Sequence, residues 1–146
     1  MKTIASFVCL GILSLFSCKN MVPTTDAQSI LIEKYLEIGS YGGFTGDQTS
    51  TFLLANGQSF DKNGAEGVFV ARKSAHKKST NLAFNLAAKT DWKNLPPPEY
   101  GNMNYFILYH SKEATYEVIW GRQGPAPPAA IKSLHDALLS ALNPSK

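Results

Sequence analysis

The fold is decided by Asn104-Tyr-Phe-Ile-Leu-Tyr-His110 and Thr115-Tyr-Glu-Val-Ile-Trp120, which are joined by the polar stretch Ser111-Lys-Glu-Ala114. Aromatic and β-branched residues dominate both outer segments, and such residues fit the pleated surface of a half-buried strand. A polar connection of this length is typical of a hairpin loop. The stretch therefore predicts two neighbouring antiparallel strands.

After this hairpin, a helix is predicted from Ala129 to Leu142, following the proline-rich loop 124–128. Ile131, Leu134 and Leu138 recur there at helical spacing, and Pro144 follows the end of the pattern. This periodicity predicts one apolar helix face that packs on the sheet.

Before the hairpin, another helix is predicted from Ser79 to Lys89. Ser79 or Thr80 is the expected N-cap, and Leu82 and Leu86 lie four residues apart on one helix face. The stretch 94–98 contains three consecutive prolines, which end any helix.

Three further strands are predicted: Ile30 to Ile38, Thr49 to Ala55 and Val68 to Ala71. Asn-Gly pairs at 56–57 and 63–64 favour tight hairpin turns, because both central turn positions need positive φ. A helix is the weaker alternative for 30–38, since its alternation is not strict. The order strands, helix, hairpin, helix predicts one α+β domain over residues 30–146, with helices packed on one face of an antiparallel β-sheet.

The N-terminus has the parts of an export signal. Lys2 supplies a positive charge, and Ile4 to Phe16 form an apolar stretch too short to span a bilayer. Its end, Leu15-Phe16-Ser17-Cys18, resembles the lipobox of bacterial lipoproteins. The resemblance implies that a peptidase removes residues 1–17 as a signal peptide and that Cys18 carries a diacylglyceryl group, often with palmitate on its amine. The alternative is a plain secretory leader with an incidental cysteine.

Lipidation at Cys18 would fix the location of the protein. Two or three acyl chains anchor stably, since each buried methylene contributes about 0.8 kcal/mol. Residues 19–29 are polar and aperiodic, so that 18–29 would be the lipidated cysteine and a flexible tether. Cys9 would leave with the leader, so no free thiol would remain. Lys19, in place of the aspartate that favours inner-membrane retention, indicates by resemblance the outer membrane, with the domain facing the periplasm or the cell surface.

The charge balance argues against a nucleic-acid partner. The chain has 14 Lys and Arg against 11 Asp and Glu, a formal net charge of +3, and nucleic-acid binders are usually far more basic. The stretch 72–78 holds four positive charges in seven residues. It fits either a patch that docks on anionic lipid headgroups or a solvated loop.

The sequence holds no complete motif for catalysis, a cofactor or a metal. Ser74 to Lys77 fits the Ser-x-x-Lys pattern of penicillin-binding enzymes, but the Ser-Asp-Asn and Lys-Thr-Gly partners of that pattern are missing. There is no Gly-x-Ser-x-Gly, His-Glu-x-x-His, Walker or Gly-x-Gly-x-x-Gly pattern. Ser59 to Gly64 imitates half of an EF-hand loop, but Val70 stands where the closing glutamate is required, so a tight turn is the better interpretation. His76, His110 and His135 fall in different predicted elements, and adjacent helix positions point about 100° apart, which argues against a dyad of His135 with its neighbour. We expect no cofactor, no metal site and no catalytic residue.

The best candidate for recognition is the glycine-rich turn 41–46. Glycines let backbone amides approach a partner, while Tyr41 and Phe44 supply rigid apolar contact; the alternative places Phe44 in the core. Trp120-Gly-Arg122 is the second candidate, since an exposed indole is a typical hot spot and a buried one is core. The partner-binding candidates are Tyr41, Gly42, Gly43, Phe44, Thr45, Gly46, Trp120 and Arg122.

The element order, the Gly-Gly-Phe-Thr-Gly turn and the proline-led final helix together resemble the emfourin-like inhibitors of thermolysin-type metalloproteases. They are equally similar to small uncharacterised Bacteroidetes lipoproteins. The segment 61–78 has no counterpart in the inhibitors. The resemblance implies a non-catalytic protein-binding domain of the protease-inhibitor kind. The alternatives are a small envelope hydrolase or carbohydrate-active protein, and a passive structural lipoprotein.

Overall fold

The computed structural model describes residues 34–64 and 66–143. Three predictions lie outside these residues: the signal peptide at 1–17, the lipidated Cys18 with its tether at 18–29, and the start of the first strand at 30–33. No helix in the described part of the chain is long and apolar enough to cross a bilayer.

The strands in chain order are β1 (Tyr35–Gly42), β2 (Gln48–Leu54), β3 (Ser59–Asn63), β4 (Phe69–Ala71), β5 (Met103–His110) and β6 (Thr115–Gly121). They form one open antiparallel sheet with the order β4-β3-β2-β1-β5-β6. The helices are α1 (Lys77–Lys89) and α2 (Ala129–Leu142), and a short 3-10 turn spans Trp92–Asn94. The predicted α+β class with an antiparallel sheet is confirmed.

The predicted hairpin is β5 and β6. Its register runs from Asn104 opposite Gly121 to His110 opposite Thr115. On its other side β5 pairs along its whole length with β1, the strand that begins the described chain. The middle of the sheet therefore depends on a pairing between segments that are distant in sequence, which local patterns do not specify.

Both helices lie on the same face of the sheet, as predicted. Side chains alternate between the two faces of a strand, and those turned toward the helices are buried: Leu36, Leu53, Ile107, Tyr109 and Val118. The helices contribute Ala83, Phe84 and Ala87 from α1 and Ile131, Leu134 and Leu138 from α2. This layer is the main hydrophobic core.

The opposite face of the sheet carries a second apolar cluster, which neither α1 nor α2 covers. Phe52, Leu54 and Phe60 are buried in it, with Tyr35 and Phe69 packed against them. The Phe52 ring lies 5.0 Å from the Phe69 ring and 5.7 Å from the Tyr35 ring, measured between centroids. These rings shield one another from water.

Two strand predictions were wrong in detail. The first strand continues past Ile38 to Gly42, because residues 39–41 pair with both β2 and β5. Glycine is required at position 39, where a Cβ atom would meet the Phe106 ring at 2.7 Å. The stretch interpreted as a tight turn is instead β3, which pairs with β2 along its whole length. The glycines at 39 and 42 made the end of β1 look like a turn. The polar residues of 59–63 made β3 look like a loop.

The predicted start and buried face of the first helix were also wrong. The N-cap is His76, with no side-chain cap hydrogen bond, and Thr80 lies inside the helix, where its hydroxyl donates to the His76 carbonyl at 3.0 Å. Leu82 is 52% exposed. Leu86, the other residue of the predicted face, is partly buried against the main core. The inward face is centred on Ala83, Phe84 and Ala87 instead, since it buries the larger apolar side chain.

Candidate functional site

The turn between β1 and β2 projects Phe44 into solvent. Gly42, Gly43 and Gly46 have φ values of 105°, 76° and 68°, a region in which side chains are strained. The Gly43 amide donates to the Asn102 carbonyl at 2.6 Å, which ties the base of the turn to the loop before β5. Phe44 is fully exposed, at 104% of its reference area. The alternative that places Phe44 in the core is therefore wrong.

Other parts of the turn are less exposed than its tip. Tyr41 is half-buried, with its ring 6.1 Å from the Phe106 ring. Burial raises the pKa of the Tyr41 phenol, and the nearby Tyr100 and Glu117 raise it further. Gly42 and Gly43 are half-buried, whereas Thr45 and Gly46 are exposed. Tyr100, which sequence reasoning did not single out, is 67% exposed.

The structure brings the two candidate segments to the same end of the sheet. Gly42 lies opposite Met103 in the register of β1 and β5. The Arg122 amide donates to the Met103 carbonyl at 2.8 Å, so one residue connects both segments. The Arg122 side chain is exposed. We call this end, defined by Tyr41, Phe44, Tyr100 and Arg122, the aromatic end.

Trp120 is half-buried and packs against the main core. Its ring centroid lies 6.0 Å from that of Tyr105, its cross-strand partner, and 5.9 Å from that of His135 on α2. The interpretation of Trp120 as core is thus correct for part of the side chain. The rest of the indole borders the groove between α2 and the sheet.

This groove consists of two neighbouring cavities that share Tyr105 and His135. One, of about 470 Å³, is lined by Tyr105, Trp120, Ala126, Pro127, Lys132, His135 and Asp136. The other, of about 290 Å³, is lined in part by Ser40, Thr49, Asp61, Arg72 and Asn143.

An ion pair lies in the second cavity: Arg72 donates to Asp61 at 2.8 Å, and the Thr51 hydroxyl donates to the same carboxylate at 2.7 Å. The sequence could have placed Tyr105 beside Trp120, because the two residues are partners in the predicted hairpin. It could not have paired Asp61 with Arg72, because 59–63 was not predicted as a strand.

The three histidines lie apart, as predicted. His110 shares a hydrogen bond with the Thr115 hydroxyl at 2.7 Å, and His76 lies 3.5 Å from the Ser79 hydroxyl. His135 Nδ1 approaches Asp136 Oδ1 to 3.5 Å at the helix surface, although adjacent helix positions point apart.

The carboxylate beside His135 is solvent-exposed. The Lys132 ammonium at 2.7 Å and the His135 ring lower the pKa of Asp136. Among residues 34–64 and 66–143, no histidine lies within hydrogen-bond reach of a buried carboxylate, and no three His, Cys, Asp or Glu side chains are grouped to hold a metal ion.

The basic stretch lies at the other end of the sheet. The Ala75 amide donates to the Gly57 carbonyl at 2.8 Å, and the Gly57 amide donates to Leu54 at 2.9 Å. Leu54 lies opposite Tyr35, the first residue of β1. Arg72 is partly removed from this patch by its ion pair, whereas Lys73, Lys77 and Lys78 are exposed. We call this end, defined by these three lysines, the basic end.

No protein-family model matches the chain, and no curated protein matches it significantly. The resemblances to lipoproteins and to emfourin-like inhibitors therefore stay predictions.

Proposed function

We propose that this protein is a lipid-anchored cell-envelope lipoprotein whose α+β domain binds a partner protein at the aromatic end. The observation that supports this most is the complete exposure of Phe44 at the tip of the β1–β2 turn. A monomeric fold gains nothing by holding a phenylalanine in water, because burying such a side chain is worth about 1.5–3 kcal/mol. A partner with an apolar pocket would recover that free energy.

The turn is also prepared for binding by its backbone. Two hydrogen bonds restrain the loop: the Gly43 amide donates to the Asn102 carbonyl at 2.6 Å, and the Gly46 amide donates to the Gly43 carbonyl at 3.4 Å. Such preorganisation lowers the entropy lost on association. Aromatic side chains and arginine carry most of the binding energy at protein interfaces. Tyr100 lies near enough to Tyr41 to affect its pKa, and the backbone of Arg122 is bonded to Met103, opposite Gly42.

A protruding turn with an apolar tip suits the concave site of an enzyme better than a flat surface. This shape agrees with the inhibitor function that the resemblance to emfourin-like proteins implies. We therefore infer that the partner is an extracytoplasmic protease of the thermolysin type. Anchorage by lipid at Cys18 would place the inhibitor where such enzymes leave the cell.

The test uses Phe44→Ala, with Leu82→Ala as the matched control. Leu82 is an exposed apolar residue on α1, away from the aromatic end. Purified parent and variant chains are titrated against thermolysin-type proteases and used to capture partners from envelope extract. Phe44→Ala is expected to weaken binding about 30-fold or more, as for a hot spot, while Leu82→Ala leaves it unchanged.

Three results would count against the proposal. Equal binding by the parent and Phe44→Ala would exclude the turn as the contact. Capture of no partner by the parent would favour the passive structural lipoprotein. An unmodified Cys18 in mass spectrometry of the purified protein would exclude the lipid anchor.

One observation favours a second candidate, a carbohydrate-active protein. Trp120 and Tyr105 line the groove beside the hydroxyls of Ser40 and Thr49, and sugars pack their C–H faces on aromatic rings while pairing their hydroxyls with polar groups. Titration with soluble glycan fragments, followed by tryptophan fluorescence, tests it. Tyr105→Ala should then abolish binding and Phe44→Ala should not.

A further inference from the structure

We infer that the basic end docks on an anionic lipid surface, so that the aromatic end points away from the membrane. This inference rests on the proposed lipid anchor and adds an orientation to it. The supporting observations are the charge distribution, the place where the described chain begins, and the exposed face of α1.

Positive charge is concentrated in one segment. Residues 72–93 contain six of the 14 Lys and Arg residues and only one of the 11 Asp and Glu residues. Five of the six have exposed side chains: Lys73, Lys77, Lys78, Lys89 and Lys93. In the β5–β6 loop at the same end, Lys112 and Glu113 offset each other. The net charge of this end is therefore strongly positive.

The described chain begins at the same end. Lys34, the residue before β1, places its ammonium 5.5 Å from the ring centroids of both Phe84 on α1 and Tyr109 on β5. Trp92, just beyond α1, stacks on Tyr109 at 5.9 Å and on Tyr116 at 5.8 Å. Helix α1 thus crosses the end of the sheet at which residues 1–33 are attached. A tether from Cys18 would hold this end closest to the bilayer.

The exposed face of α1 fits a headgroup layer. Lys78, Leu82, Asn85 and Lys89 follow one another at helical spacing and are all exposed. Leu82 can enter the boundary between headgroups and acyl chains while the lysines contact phosphates, as in interfacial helices. α1 contains no acidic residue.

The opposite end has the opposite charge. Asp47, Glu66 and Glu99 are exposed near the aromatic end, against the single exposed cation Arg122 among these loops of the described chain. The seven residue steps of β1 separate the two ends by about 23 Å. Since the Debye length in physiological salt is about 8 Å, the acidic end does not cancel the attraction of the basic end. It does disfavour the inverted orientation.

The experiment measures the orientation of the lipidated full chain on vesicles. If Cys18 is acylated and Cys9 is cleaved off, the parent chain has no thiol to label, and a single introduced cysteine accepts a fluorophore. Asn81→Cys on α1 and Thr45→Cys in the turn are labelled and reconstituted into phosphatidylcholine vesicles that contain a lipid-borne quencher, with or without phosphatidylglycerol. We expect phosphatidylglycerol to increase quenching at position 81 and not at position 45.

Matched charge variants sharpen the test. Lys77→Gln with Lys78→Gln should remove the effect of phosphatidylglycerol at position 81, since each lysine near an anionic surface contributes about fivefold to the docking equilibrium. Lys62→Gln with Lys132→Gln removes two charges from other parts of the molecule and should leave the effect intact. Thermal unfolding of each variant confirms that it folds.

Failures of the two proposals are distinguishable. If the parent chain takes up the thiol label and does not float with phosphatidylcholine vesicles, the proposed lipid anchor is wrong, and the proposed orientation, which depends on the anchor, is wrong as well. If the chain floats but quenching at positions 45 and 81 is the same in both lipids, the orientation alone is wrong.

Discussion

At the aromatic end of the sheet, Phe44 lies wholly in solvent on a glycine-rich turn, whereas at the basic end Leu36 is completely buried in the core that α1 helps to form. The two ends belong to the same strands, yet one holds a large apolar side chain in water and the other buries one. Both helices contribute to the core, but α1 lies over the basic end, and no described helix covers the turn. The difference separates a structural half of the sheet from a half available for recognition.

The largest expected effect tests that separation directly. Leu36→Ala should cost about 2–5 kcal/mol of unfolding free energy, because it leaves a cavity in a closed core. Phe44→Ala should change stability by less than about 0.5 kcal/mol, since it removes no packed contact. Urea denaturation of both variants measures the contrast. A loss above about 2 kcal/mol for Phe44→Ala would show that the ring packs somewhere in solution and would break the comparison.

An intermediate effect is expected within the turn. At Gly42 a side chain must adopt a φ of 105° and would also collide with the Asn102 carbonyl, whereas at Gly46 nothing lies within 4 Å. Gly46→Ala should cost about 1–2 kcal/mol from its left-handed backbone alone, and Gly42→Ala distinctly more. Thermal denaturation of the pair compares them. Equal losses would mean that the base of the turn is no more rigid than its tip.

The smallest effect concerns Glu37, on the sheet face away from the helices. Burial raises the pKa of its carboxyl, with Glu117 adding to the shift, while the Ser50 hydroxyl and Lys62 oppose it. The folded state then holds the proton more tightly than the unfolded state, so stability falls as pH rises above about 4.5 and through the folded pKa.

Glu37→Gln should therefore stabilise the protein at neutral pH and lose that advantage in acid. Glu113→Gln, in the exposed β5–β6 loop, is the control and should not reproduce this pH dependence. The unfolding midpoints of the parent and both variants are compared from about pH 3 to about pH 8, a range that brackets ordinary carboxyl titration. An advantage of Glu37→Gln that persists at the acid limit would contradict the burial of the charge.

Patterns within single segments were sufficient for the elements with strong local signals. The β5–β6 hairpin and the bounds of α2 follow from aromatic and β-branched runs and from helical spacing, because these side chains determine which backbone conformation buries them. The α+β class follows from the order of such elements. The candidate turn was also identifiable, since its glycines are required by positive φ.

Tertiary structure alone decided the rest. The pairing of β1 with β5, the strand character of 59–63 and the inward face of α1 depend on partners that are distant in sequence, and no local pattern specifies those partners. The exposure of Phe44, the approach of Arg122 to the turn through Met103, and the separation of the basic and aromatic ends follow from that pairing. Burial is a property of what surrounds a side chain in space, so it becomes defined only when the sheet and helices have assembled.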